Sequence, residues 1–183
     1  MNALPRLHVG AAVLVATVAV AGCSTIPDPP DAVGENYPGT CMPAEFSWPT
    51  DFLDALPGES PAVGRTIVGL RLEYLDSTWV WRLRSADTKE DSFGERVDDP
   101  SFGKESIVDV RTMELIASGK TELTEAEQRM LGTSAYAAAQ QSGEQWPSPL
   151  IIEMARVMDD GTPAWRITTC DTATNEHSVM TVN

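Results

Sequence analysis

The chain has 183 residues, of which 27 are acidic and 13 are basic, and its net charge is −14 at pH 7. A surface with this charge repels the phosphates of DNA and RNA, so the composition argues against nucleic-acid binding. The length suffices for one domain or for two small ones.

The start of the chain has the pattern of an export signal. Arg6 precedes an almost unbroken run of valine, alanine and leucine over residues 9–21. This run is shorter than the roughly 20 residues that cross a bilayer, and it leads into small residues, as secretory signals do. We therefore predict a signal peptide over residues 1–22.

The residues that follow the apolar run indicate the kind of signal. Val20-Ala21-Gly22-Cys23 resembles the lipobox of bacterial lipoproteins. The resemblance implies that the Cys23 thiol takes a diacylglyceryl group and that Cys23 becomes the mature N-terminus. The protein would then be lipid-anchored to the cell membrane on its extracytoplasmic face, since two acyl chains hold stably where one is marginal. The alternative is an ordinary signal peptide with an incidental cysteine.

Residues 23–45 are rich in proline and acidic residues. Proline fixes φ and like charges repel, so we predict a semi-extended linker. At about 3.1 Å per residue, its part up to Thr40 would reach roughly 50 Å from the membrane.

Two cysteines, Cys41 and Cys170, remain after the lipobox has used Cys23. An even pair in an exported, oxidising location predicts a disulfide, and the alternative is two buried free thiols. In the chain-entropy description, a bridge that closes so long a loop adds up to about 4–5 kcal/mol.

Apolar residues that recur at every second position predict a series of strands. Residues 66–74 and the return strand from Trp79 form a hairpin around a turn at Asp76. Further strands are expected at residues 107–111, 150–154, 165–169 and 177–182.

Helical patterns are fewer. Thr124 and Glu127 form a capping box that opens the strongest predicted helix, which runs to about Ser142 and is closed by Gly143. A short helix is expected at residues 51–56.

Two of the predicted hairpins share one sequence pattern. Trp-Arg-Leu-Arg-Ser-Ala-Asp-Thr at residues 81–88 matches Trp-Arg-Ile-Thr-Thr-Cys-Asp-Thr at residues 165–172, at an offset of 84 residues. Asp76 and Asp160 each precede the tryptophan by five residues. The match predicts a tandem repeat.

This order of elements resembles the PepSY module, with Asp109-Val110-Arg111-Thr112 in the place of that family's closing motif. The resemblance implies an α+β fold in which each copy packs one helix on a three-stranded antiparallel sheet, with copies at residues 46–119 and 120–183. It also implies a non-enzymatic role in which the protein inhibits or modulates a peptidase.

Strand alternation places Cys170 opposite the side that would pack on the helix. Arg82 and Arg84 lie on the same side as Cys170. We therefore expect the acidic linker to cover part of this second face.

The sequence contains no catalytic constellation that we can identify. His177 is the only histidine after the predicted signal, and Cys41 and Cys170 are expected to be bonded, so we predict no metal site and no cofactor. Nucleophile-elbow and nucleotide-binding motifs are absent. Acids are numerous enough that pairs such as Glu73 and Glu153 carry no weight as acid–base candidates, and we predict that the protein is not an enzyme.

The tryptophans are expected to belong mainly to the core. Trp146, which precedes Pro147 after the predicted helix, is the best candidate for an exposed binding residue. We thus predict a membrane-anchored, non-catalytic envelope lipoprotein that binds or modulates a protein partner. The alternative is a small-ligand or lipid carrier with an apolar pocket between helix and sheet, lined by Met130, Met154 and tryptophans.

Overall fold

A computed structural model describes residues 25–39, 41, 66–90, 96–129, 132–144 and 148–183, without the side chains of residues 87–90 and 96–100. The predicted signal peptide and the short helix predicted at residues 51–56 lie outside this part of the chain.

Within the described residues, seven antiparallel strands form one sheet in the order β4-β3-β2-β1-β5-β6-β7. The elements in chain order are β1 Thr66–Leu75, β2 Thr78–Glu90, β3 Arg96–Asp109, β4 Leu115–Glu122, α1 Glu125–Gln128, α2 Ala135–Gln141, β5 Leu150–Asp159, β6 Thr162–Cys170 and β7 His177–Val182. The predicted hairpins β1–β2 and β5–β6 and the last edge strand are confirmed, whereas β3 is longer than predicted and β4 was not predicted.

The predicted α+β fold with two helix/three-strand repeats is wrong. The described residues contain two short helices, both in the connection between β4 and β5, and every described strand joins the same sheet. Strand β4 spans the boundary that was predicted between residues 119 and 120. Neither helix is long and apolar enough to cross a membrane.

The single helix predicted from Thr124 to Ser142 is divided because side chains from the sheet bind the backbone carbonyls between its halves. The capping box at Thr124 is present, but Arg129 is already extended. Arg156 Nη1 donates to the Arg129 carbonyl and Trp165 Nε1 donates to the Thr133 carbonyl. These carbonyls are thus engaged outside a helix, and the Ser134 side chain caps a new one.

The two matched hairpins meet at the centre of the sheet. Leu70 of β1 pairs with Met154 of β5, and these residues are separated by the same 84 positions as the repeat. Because β1 and β5 are antiparallel, this register relates the hairpins by a local two-fold axis perpendicular to the sheet. The same two-fold relation holds one strand further out on each side. Trp81 of β2 pairs with Val108 of β3, and the matching Trp165 of β6 pairs with Val182 of β7.

The sheet has two different faces. The helix face carries the apolar core, including the wholly buried Trp81 and Trp165, and it packs against Ala138 and Ala139 of α2. The linker face carries the ionic side chains Arg71, Glu73, Arg82, Arg84, Glu105, Glu153 and Arg166 of β1, β2, β3, β5 and β6.

Candidate functional site

Buried ion pairs join three strands and α1 on the linker face. Arg82 Nε and Nη2 donate to the two carboxylate oxygens of Glu73 at 2.7 and 2.9 Å. Arg84 Nε and Nη2 bind Glu127 in the same way at 2.7 and 3.0 Å. Glu105 links the two arginines by accepting from both. The Glu73 side chain is wholly buried and that of Arg82 is 3% exposed, so these charges depend on one another.

The network keeps both arginines charged. Burial alone would lower the pKa of Arg82, but its bonds to Glu73 and Glu105 outweigh burial and raise the pKa. The bond to Glu127 raises the pKa of Arg84 against the effect of burial. Two charge-assisted bonds to each carboxylate fix the side chains as well as their protonation.

Beside this network lies a cleft of about 140 Å³. Arg71 and Glu153 face each other across the β1–β5 pair, with Arg71 Nε 3.9 Å from a Glu153 oxygen. Gly69, Ala155 and Pro29 also line the cleft. The cleft therefore combines charged groups, which can bind a charged ligand, with a lining that is partly apolar.

The N-terminal linker covers the cleft from outside. Ile26 packs against Val80, Ile107 and Ala117, and the Pro27 carbonyl accepts from Arg82 Nη2 at 2.8 Å. The expectation that the linker covers part of this face is therefore confirmed. The free stalk predicted up to Thr40 is wrong, because apolar burial and a charged donor hold the described part of the linker on the sheet.

Further along, the linker occupies the gap where β1 and β5 separate. Tyr37 Oη donates to the Leu72 carbonyl at 2.8 Å and Asn36 Nδ2 donates to the Tyr74 carbonyl at 2.7 Å. Both carbonyls lie beyond the last β1–β5 pair, Arg71–Glu153. Burial raises the pKa of Tyr37, whose hydroxyl therefore remains protonated as a donor.

A disulfide fixes the end of this segment. Cys41 and Cys170 are bonded, with Cα atoms 6.2 Å apart, as the cysteine count predicted. His177 is exposed, and its ring lies within 4.8 Å of both sulfurs. Because the bonded sulfurs are not thiolates, the oxidised protein offers a metal only one imidazole at this position.

The structure brings together few of the residues that the sequence singled out. Cys23 and Trp146 lie outside the described residues, so lipidation and the Trp146 surface stay predictions. Met130, proposed to line a pocket, also lies outside them. Met154 is 1% exposed in the core, and the cleft lies on the opposite face from α2.

Sequence reasoning missed the ionic site, although part of its signal was present. Arg82 and Arg84 were placed on one strand face, and Arg71 and Glu73 follow the same alternation. No sequence pattern indicated that Arg84 would bind Glu105 and Glu127, because these residues lie 21 and 43 positions further along the chain.

Comparison with known proteins gives little beyond this description. No protein-family model matches the chain, and no curated protein matches it. Among solved structures, the chain is similar to a putative lipoprotein from Clostridium difficile 630, with 15% identity and a TM-score of 0.35 over 75% of this chain and 95% of that one. A likeness at this level carries no argument about fold or function.

Proposed function

We propose that this protein is a non-catalytic envelope lipoprotein, anchored to the membrane through Cys23, that binds a protein partner along strand β7. The lipobox supports the anchor, and the β7 edge, which pairs outwards with none of the described strands, supports the partner. The peptidase suggested by the PepSY resemblance is not retained, because it depended on a fold that the single sheet contradicts.

The observation that carries the proposal is the asymmetry between equivalent edges of the two hairpins. The local two-fold axis makes β3 and β7 equivalent, and β3 is covered by β4. Strand β7 has no outer neighbour in the part of the chain that the structure describes. Its sequence, His-Ser-Val-Met-Thr-Val, lacks the proline, lysine or acidic residues that commonly protect an edge, and Val179 is 62% exposed. An extended partner segment would complete it by strand addition.

A site-specific photo-crosslinker in the full lipoprotein, introduced in cells at Val179, tests the proposal. The matched control is Ile116, which is 52% exposed on β4. We expect one reproducible protein adduct from position 179, whose crosslinked peptide maps to an extended segment, and no such adduct from position 116. Equal capture at both positions, no capture, or an adduct of two copies of this chain would contradict the proposal.

A second function, binding of a small ligand, is favoured by the cleft on the linker face. The pocket expected between helix and sheet is occupied by packed side chains, since Trp81, Trp165 and Met154 are buried there. The cleft beside Arg71 is on the other face and is lined by charged as well as apolar residues.

A further inference from the structure

Three arginines of the linker face differ in the partners of one guanidinium edge, the one formed by Nε and Nη2. Arg82 and Arg84 each direct Nε and Nη2 to the two oxygens of one glutamate. Arg71 Nε and Nη2 are buried and have no hydrogen-bond partner among the described residues. A buried, unpaired charged donor is costly, so this edge calls for an acceptor.

Glu153 does not supply that acceptor. Its Oε1 lies 3.9 Å from Arg71 Nε, beyond hydrogen-bond distance. Its Oε2 is 3.4 Å from Thr168 Oγ1 and 4.0 Å from Arg166 Nη2. Glu153 is thus shared between two arginines and binds neither closely.

The other ionic groups at the cleft are already engaged. Arg82 and Arg84 donate to Glu73, Glu105 and Glu127. Arg71 lines the cleft, and its Nε and Nη2 are donors there that no described residue satisfies. The volume of about 140 Å³ is close to that of an apolar cavity of about 150 Å³ that accepts benzene, so the space suits a small organic acid.

We propose that the cleft binds the carboxylate of a small monocarboxylic acid, held by both oxygens on Arg71 Nε and Nη2, with its apolar part against Ala155 and Pro29. A planar carboxylate matches the planar guanidinium edge, as Arg82 demonstrates with Glu73. Glu105, Glu127 and Glu153 also border the cleft and disfavour a second negative charge, so a phosphate fits less well. This inference rests on the second function above and is independent of β7.

Titration of the full-length protein in neutral detergent with benzoate, followed by NMR of the amide groups of β1 and β5, tests the proposal. Methyl benzoate is the uncharged control. We expect saturable shifts around Gly69–Arg71 and Glu153–Ala155 with benzoate and none with the ester. Arg71→Met should weaken binding at least about tenfold, because it removes both donors.

Two further variants separate a specific contact from a general charge effect. Glu153→Gln should strengthen benzoate binding several-fold, because it removes a negative charge beside the ligand. Arg129→Met removes a positive charge from an exposed pair with Glu125 and should leave the affinity unchanged. Absence of saturable benzoate binding, or equal affinity in wild type and a folded Arg71→Met protein, would overturn the proposal whatever the β7 crosslinking shows.

Discussion

Glu73 is wholly buried, and Arg82 donates to both of its side-chain oxygens. Such a pair adds little net stability over an apolar replacement of both residues, but loss of one partner leaves a buried charge without compensation. The network links β1, β2, β3 and α1, and we expect it to fix how these elements pack on one another.

Glu73→Gln tests this dependence. The substitution keeps the shape and removes the charge, so we expect the free energy of unfolding to fall by about 3 kcal/mol in urea denaturation. Glu125→Gln, in an exposed pair with Arg129, is the control and should change it by less than about 0.5 kcal/mol. Similar small losses in both variants would show that Arg82 does not need Glu73.

The two aspartates that close β3 and β6 make the same local contacts. Asp109 Oδ1 accepts from the backbone N–H groups of Thr112 and Arg111, and Asp171 Oδ1 accepts from those of Ala173 and Thr174. These bonds lower the pKa of each carboxyl in the folded protein.

Because the pKa of the carboxyl is lower in the folded protein, its ionised form stabilises the fold at pH values above the unfolded pKa of about 3.9. This stabilisation is lost as the pH falls through the lower pKa of the folded state. Asp109→Asn keeps an acceptor but removes the titration. We therefore expect the difference in free energy of unfolding between wild type and Asp109→Asn to shrink from about pH 6 to about pH 2. Asp28→Asn, at an exposed linker position, is the control. A difference for Asp109→Asn that stays constant with pH would contradict the argument.

At the scale of elements, period-two patterns identified the hairpins because each strand has one apolar and one polar face, as in Val68–Tyr74. The pattern failed at Leu115–Glu122, where β4 is an edge strand with mostly exposed side chains and so lacks a clear apolar alternation. It also failed for the long helix, because Arg156 and Trp165, which bind the carbonyls of the break, are distant in sequence. Local patterns contain no information on such contacts.

The second helix depends on its own cap. The Ser134 hydroxyl accepts the Ala137 N–H at 3.1 Å, so Ser134→Ala should lower the free energy of unfolding by about 1 kcal/mol. Ser118→Ala, at an exposed position of β4, is the matched control and should have little effect. If the two variants have the same stability in thermal denaturation, α2 does not rely on this cap.

In the whole molecule, the linker acts as a cover for the sheet and is not a spacer. Its contacts join β1, β2, β3 and β4, and the disulfide closes a separation of 129 residues. The sequence indicated the covered face through the positions of Cys170, Arg82 and Arg84. It did not indicate the close docking, because Ile26 is a single apolar residue among prolines and acids.

Ile26→Asp tests the docking. Burial of a charge against Val80, Ile107 and Ala117 is unfavourable, so the start of the linker around Ile26 should detach from the sheet, while Tyr37 and the disulfide keep its later part in place. We expect faster amide hydrogen exchange at position 26 and in Ala117–Gly119, with the disulfide still formed. Ile116→Asp, at an exposed position, should exchange like wild type. Unchanged exchange in Ile26→Asp would mean that Ile26 does not hold the linker.

The docked linker also limits how far the folded part of the protein can lie from the membrane. If Cys23 carries the lipid, Ile26 lies three positions after it, which corresponds to at most about 10 Å of extended chain. The sheet is then confined to a thin layer at the bilayer surface and meets partners by lateral diffusion. That distance is comparable to the Debye length of about 8 Å at physiological salt. Ionic strength therefore sets how strongly this acidic protein, whose full chain has a net charge of −14, is repelled by anionic lipids while the acyl chains hold it close.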